Sequence, residues 1–138
     1  MIEQPFWQVG IVVPEIESAM AELSAALGVE WSGPRDREVD GIRIRVAFAM
    51  TPPPYLELLE GPPGSVWDAT AGARIHHLGF WSADKERDGA DLEGVGFERL
   101  PNSGYARYYL GPASGTVVEL VGRDFDPRID SDWGLPRS

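Results

Sequence analysis

Residues 75–81 read Ile75-His76-His77-Leu78-Gly79-Phe80-Trp81, and residues 6–13 read Phe6-Trp7-Gln8-Val9-Gly10-Ile11-Val12-Val13. Both are β-rich stretches in which one polar side chain stands among apolar ones and is followed two places later by glycine. Aligning Gln8-Val9-Gly10-Ile11 with His77-Leu78-Gly79-Phe80 makes them corresponding strands of a duplicated unit. A second match lies downstream of each, Leu56-Glu57-Leu58 against Val118-Glu119-Leu120. Gln8 and Glu57 are 49 residues apart and His77 and Glu119 are 42 apart, so one copy carries the longer loop.

The intervening segments fill out the unit. Pro14 supplies a helix start, Ile16, Met20, Leu23 and Leu27 recur at helical spacing, and Gly28 supplies a C-terminal cap. The resulting amphipathic helix is expected to lie over the apolar face of the first strand, formed by Trp7, Val9, Ile11 and Val13. Asp36-Arg37-Glu38 reads as a solvated loop, Ile42 to Met50 as a strand ended by Pro52-Pro53-Pro54, and Tyr55 to Leu59 as another. After the Gly61–Gly64 connection, a weaker helix is expected from about Asp84 to Glu93. Strands follow near Phe97–Leu100, Tyr105–Leu110 and Thr116–Val121. The predicted order is strand, helix, three strands, twice. That divides one domain of residues 1–138 into a first module at about 6–60, a second at about 75–122, and a polar tail at 123–138 containing Trp133.

With 138 residues, 43% hydrophobic and 25% charged, the chain has the size and composition of one folded domain with a buried core. Twelve basic against 22 acidic side chains give a formal charge of −10, which argues against nucleic acid or an anionic membrane surface as partner. The absence of cysteine excludes disulfides, thiolate metal sites and a cysteine nucleophile. No stretch has the pattern of a secretory signal or a membrane span, and a cytoplasmic location is expected.

Gln8, Glu57, His77 and Glu119 are the polar residues at the matched positions. Alternate side chains of a strand share a face, so all four can point away from the hydrophobic layer into one cavity. Two carboxylates buried together lose hydration and repel each other, and a divalent cation relieves both effects. Imidazole nitrogen with carboxylate and amide oxygens suits Zn, Ni, Co, Mn or Fe. If the strand is regular, His76 points away from His77 and is structural. By the same parity Tyr55 shares a face with Glu57, and Trp81 with His77. These two, with Arg107 and Tyr109, are the candidate substrate-binding residues, while Tyr105, Tyr108 and Arg45 are further neighbours to consider. Trp7, Phe48 and Phe80 read as packing residues.

On these residues the chain resembles the vicinal oxygen chelate superfamily, which includes glyoxalases, methylmalonyl-CoA epimerases, extradiol dioxygenases and bleomycin-resistance proteins. The likeness runs from about Phe6 to Gly122. It implies an α+β fold of two tandem βαβββ modules forming a curved, cavity-enclosing mixed sheet. The first and last strand of each module would supply one metal ligand, here Gln8, Glu57, His77 and Glu119, a set closest to that of glyoxalase I. The resemblance further implies a metal-dependent isomerase or lyase of the glyoxalase and epimerase type. Glu57 and Glu119 would transfer a proton next to a metal-bound carbonyl of a small-molecule substrate, within a homodimer. The alternative implied by the same family is a metal-free protein that sequesters an antibiotic or other small molecule.

Overall fold

In the computed structural model, residues 6–101, 106–122 and 133–136 are described. The elements are β1 (Phe6–Val12), α1 (Ile16–Leu27), β2 (Trp31–Val39), β3 (Ile42–Ala49), β4 (Tyr55–Glu60), β5 (Arg74–Ser82), α2 (Lys85–Gly94), β6 (Glu98–Arg99), β7 (Arg107–Leu110) and β8 (Val117–Gly122). They form one mixed eight-stranded sheet in the order β2-β3-β4-β1-β5-β8-β7-β6. β1 and β5 meet antiparallel at its centre, each flanked by the parallel last strand of its own module, β4 and β8 respectively. The arrangement is the predicted βαβββ unit, twice.

The helices pack on one face of the sheet. Under α1, Ile16 joins Val13, Ala47 and Leu58, with Ile11, Met20 and Leu23 at the margin. Under α2, Tyr109, Val118 and Leu120 pack with Leu92 and Phe97. The other, cavity-facing side carries a larger aromatic cluster that includes Trp7, Phe48, Tyr55, Trp67, Trp81 and Trp133. Different carboxylates anchor the two helix starts. The backbone N–H of Ile16 donates to Glu60 Oε2 at 2.7 Å, reaching across from β4, whereas Asp84 caps α2 locally by accepting from the N–H groups of Glu86 and Arg87. Among the described residues no helix is long and apolar enough to cross a membrane.

Two expectations from local pattern are corrected, and two residues of the C-terminal segment are buried. Asp36-Arg37-Glu38 is strand, inside β2 and paired with Arg45, Ile44 and Arg43 of β3, because a sheet-edge strand open to solvent does not need alternating apolar residues. Helix α1 lies mainly over β4, β2 and β3 rather than along β1. Its contact with β1 is through Ile11, while Trp7 has joined the cavity-side cluster. The tail residues Trp133 and Leu135 are buried against their own chain, where Ser32 Oγ donates to the Trp133 carbonyl and Arg35 and Arg37 stack over the Trp133 ring.

Candidate active site

The register at the sheet centre explains how residues from both modules meet. Across the β1–β5 ladder Gln8 lies opposite Gly79 and His77 opposite Gly10. Gly10 is in turn the parallel partner of Glu57, and Gly79 of Glu119. Each glycine therefore lies beneath the polar side chain of the other module. A Cβ on Gly10 would overlap the His77 ring, and one on Gly79 would overlap Gln8 Cγ, so glycine at these two places lets the side chains cross the central pair of strands.

Gln8, Glu57, His77 and Glu119 are all buried and line one cavity of about 220 Å³. Their polar atoms converge. Gln8 Nε2 lies 2.9 Å from His77 Nε2 and donates to Glu119 Oε1 at 2.5 Å. His77 Nε2 is 3.3 Å from Glu57 Oε1 and 3.6 Å from Glu119 Oε2. The Tyr108 hydroxyl donates to Glu119 Oε2 at 2.6 Å. Two oxygens in this cluster, Gln8 Oε1 and Glu57 Oε1, are buried without a hydrogen-bond partner. Burial raises the Glu57 pKa, opposed by the His77 ring and reinforced by the charge on Glu119. Burial works against a charged His77, but the Glu119 and Glu57 carboxylates beside it prevail and raise its pKa.

These features fit a divalent ion. Ligands held at about 2.1 Å from a metal stand roughly 3 Å from one another, and His77 Nε2 lies 3.3 Å from Glu57 Oε1 and 3.6 Å from Glu119 Oε2. An ion would also give the two orphaned oxygens a partner and offset the paired acids. Among the described residues no three His, Asp or Glu side chains are by themselves arranged to hold a metal ion, so an ion here would need the Gln8 amide oxygen as a further ligand.

The walls differ in part from expectation. Tyr55 and Trp81 are on the cavity side of the sheet, as strand parity requires, yet neither lines the cavity. Trp81 stacks on Trp7 at 4.4 Å, and Tyr55 packs edge-on against Trp7 and Phe48 with its hydroxyl donating to the Pro136 carbonyl. Arg107 and Tyr109 face the helices instead, Arg107 pairing with Glu86 and Tyr109 packing beneath Gly89 of α2. Register decides this: Tyr108 is the direct partner of Glu119 across β7–β8, so its neighbours on either side point the other way. Arg45 likewise reaches Glu17 of α1, and Tyr105 lies outside the described residues. The aromatic walls are Trp7, Phe48, Trp67, Tyr108 and Trp133. Sequence reasoning treated Trp7 and Phe48 as packing only and missed Trp67, which sits in a loop with no periodic signal.

Two βαβββ modules joined through their first strands around a shared polar cluster define the class of this fold. The sequence profile of the Glyoxalase/Bleomycin resistance protein/Dioxygenase superfamily matches residues 7–111, and the chain belongs to that superfamily. Among curated proteins there is no match. Among solved structures, a single-residue variant of Streptomyces coelicolor methylmalonyl-CoA epimerase in complex with 2-nitronate-propionyl-CoA is 25% identical. The match covers 86% of this chain and 94% of that one, with a TM-score of 0.62. Methylmalonyl-CoA epimerase from Mycobacterium tuberculosis is 21% identical over 85% of this chain and 86% of its own, with a TM-score of 0.62. A triple variant of 4-hydroxymandelate synthase from Streptomyces coelicolor is similar in fold at 15% identity and a TM-score of 0.64, covering 86% of this chain and 48% of that one.

Proposed function

We propose that the chain is a metal-dependent isomerase of the epimerase type, moving a proton at a carbon next to a carbonyl. The observation that carries this reading is the pair of buried oxygens, Gln8 Oε1 and Glu57 Oε1, left without hydrogen-bond partners in a cluster that also contains His77 and Glu119. Gln8, Glu57, His77 and Glu119 would hold a divalent ion. When bound, such an ion supplies Lewis acidity against the negative charge that develops on a substrate oxygen.

The remaining chemistry falls to the side chains. One of Glu57 and Glu119, which reach the cavity from opposite modules, takes the proton from carbon; either carboxyl then returns a proton to the same or the opposite face. No electron leaves the substrate, and the proton count is restored at the end of the cycle. Burial of Glu57 makes it a stronger base than a solvated carboxylate, and the Tyr108 hydroxyl holds Glu119 Oε2 in place. The aromatic walls exclude water from the reacting carbon. The epimerases among the similar structures support proton transfer over other chemistries of the superfamily.

The aromatic lining favours a second reading, a metal-free protein that sequesters a planar apolar molecule. Exchange of the hydrogen next to the carbonyl, followed by NMR in D2O with methylmalonyl-CoA and simpler 2-substituted carbonyl compounds, separates the two. Metal-loaded wild type is expected to exchange at least one of them, with Glu119→Gln slower by about 100-fold or more. Absence of a stoichiometric divalent ion after purification without chelator, together with tight binding of a polycyclic compound, would favour sequestration.

A further inference from the structure

His76 departs from regular strand geometry. In the β1–β5 ladder Gly10 pairs with His77, but the next residue of β1, Ile11, pairs with Ile75. His76 is therefore an inserted residue, a β-bulge that turns its side chain out of the alternation. It does not point away from its neighbour, as a regular strand would require: its Nδ1 lies 2.9 Å from His77 Nδ1. The His76 ring packs against Trp67 at 4.6 Å and edge-on to Tyr108 at 6.1 Å, so the contact is buttressed on both sides.

Two imidazole nitrogens at hydrogen-bond distance need one proton between them, one ring donating and the other accepting. The opposite edge of His77 decides which. In the neutral ring the nearest partner of His77 Nε2 decides: Gln8 Nε2 at 2.9 Å only donates, and it lies closer than the Glu57 and Glu119 oxygens at 3.3 and 3.6 Å, so Nε2 is the bare, accepting nitrogen. The amide cannot simply be reversed, because its nitrogen also donates to Glu119 Oε1 and an oxygen there would face a carboxylate. It follows that His77 carries its hydrogen on Nδ1 and donates it to His76 Nδ1.

We propose that His76 is a positioning residue that fixes the tautomer of His77, so that the lone pair of Nε2 is presented to the Gln8–Glu57–Glu119 cluster. The assignment of a benefit to this rests on the metal reading above, since a neutral imidazole binds a metal only through a bare nitrogen and a second partner on the ring sets which one is bare. The tautomer itself does not depend on that reading. The first module offers a natural contrast. Its own bulge falls between Phe6 and Gln8, placing Trp7 in the position corresponding to His76, and glutamine has no tautomer to fix.

The chain has two histidines, so a nitrogen-15 histidine spectrum of the metal-free protein contains only the two rings in question. Recorded at alkaline pH, where His77 is neutral, it should show His77 protonated on Nδ1. His76→Phe keeps a ring between Trp67 and Tyr108 but removes the acceptor; His77 should then lose its tautomer preference, and affinity for Zn2+ in a calorimetric titration should fall about 10-fold or more. His76→Asn, whose amide oxygen replaces Nδ1 as acceptor, should restore both. Protonation of wild-type His77 on Nε2, or an unchanged His77 spectrum in His76→Phe, overturns the proposal. Should His76→Phe fail to fold, the wild-type and His76→Asn spectra decide the matter by the same criterion. Failure of wild type to bind any divalent ion would defeat the metal reading while leaving the tautomer to be judged from the metal-free spectra.

Discussion

The two modules place their polar residues in matching positions and then surround them differently. Gln8 and His77 each follow a bulge, each crosses over the other module's glycine, and each has a glutamate one strand away, Glu57 or Glu119. The bulged residue is an indole in one module and an imidazole in the other. The acids differ as well: Glu119 is held by Gln8 and Tyr108, whereas Glu57 keeps an oxygen without a hydrogen-bond partner. The lesson is that backbone register determines where donors converge, and the asymmetric second layer determines which nitrogen or oxygen each one presents.

The largest effect expected from breaking the comparison is at the cluster itself. His77→Ala and Glu119→Gln should each lower divalent-metal affinity by more than the 10–100-fold typical of outer partners. Calorimetric titration checks this, and a residue whose loss leaves affinity intact is not a ligand. Next come the crossing glycines. Gly10→Ala and Gly79→Ala should each cost about 1–3 kcal/mol in chemical denaturation. Gly10→Ala should be the worse of the two, since its Cβ meets three atoms of the rigid His77 ring, all within 2.7 Å, while that of Gly79 meets the flexible Gln8 side chain and the Trp7 ring only at 2.9 Å. The reverse order would contradict the crossed arrangement.

Much of this site could be read before any coordinates. Gln8, His77, Glu57 and Glu119 stood out because a polar residue among apolar neighbours is costly unless it serves something, and Gln8 and His77 shared a glycine two places on. Glu60, three residues beyond Glu57 on the same strand, accepts from the first turn of α1 instead of entering the cavity, a role that only the structure shows. The bulges at Trp7 and His76 left no mark in the local pattern, because an inserted residue is defined by what lies on the neighbouring strand. The choice between Tyr108 and Tyr109 depended in the same way on register across β7–β8. Asp36 to Glu38 looked like a loop because an exposed edge strand lacks the alternation that identifies buried ones.

Smaller effects sharpen the contrast further. Tyr108→Phe removes the hydroxyl that holds Glu119 and should cost about 1 kcal/mol of stability. It should slow proton exchange more than it weakens metal binding, and equal losses in both would argue against a role for Tyr108 in orienting a base. The smallest change at the site is expected from Asp84→Ala, which uncaps α2 on the far face. It should cost about 1 kcal/mol by thermal or chemical denaturation and leave metal affinity unchanged.

The central claim is that donors from both halves of the sheet share one ion, and anomalous diffraction from crystals grown with Mn2+ or Zn2+ tests it most directly. The account predicts one anomalous peak per chain, bonded to Gln8 Oε1, His77 Nε2 and oxygens of Glu57 and Glu119. A cavity without a peak, its four side chains still bonded to one another at saturating metal, would contradict it.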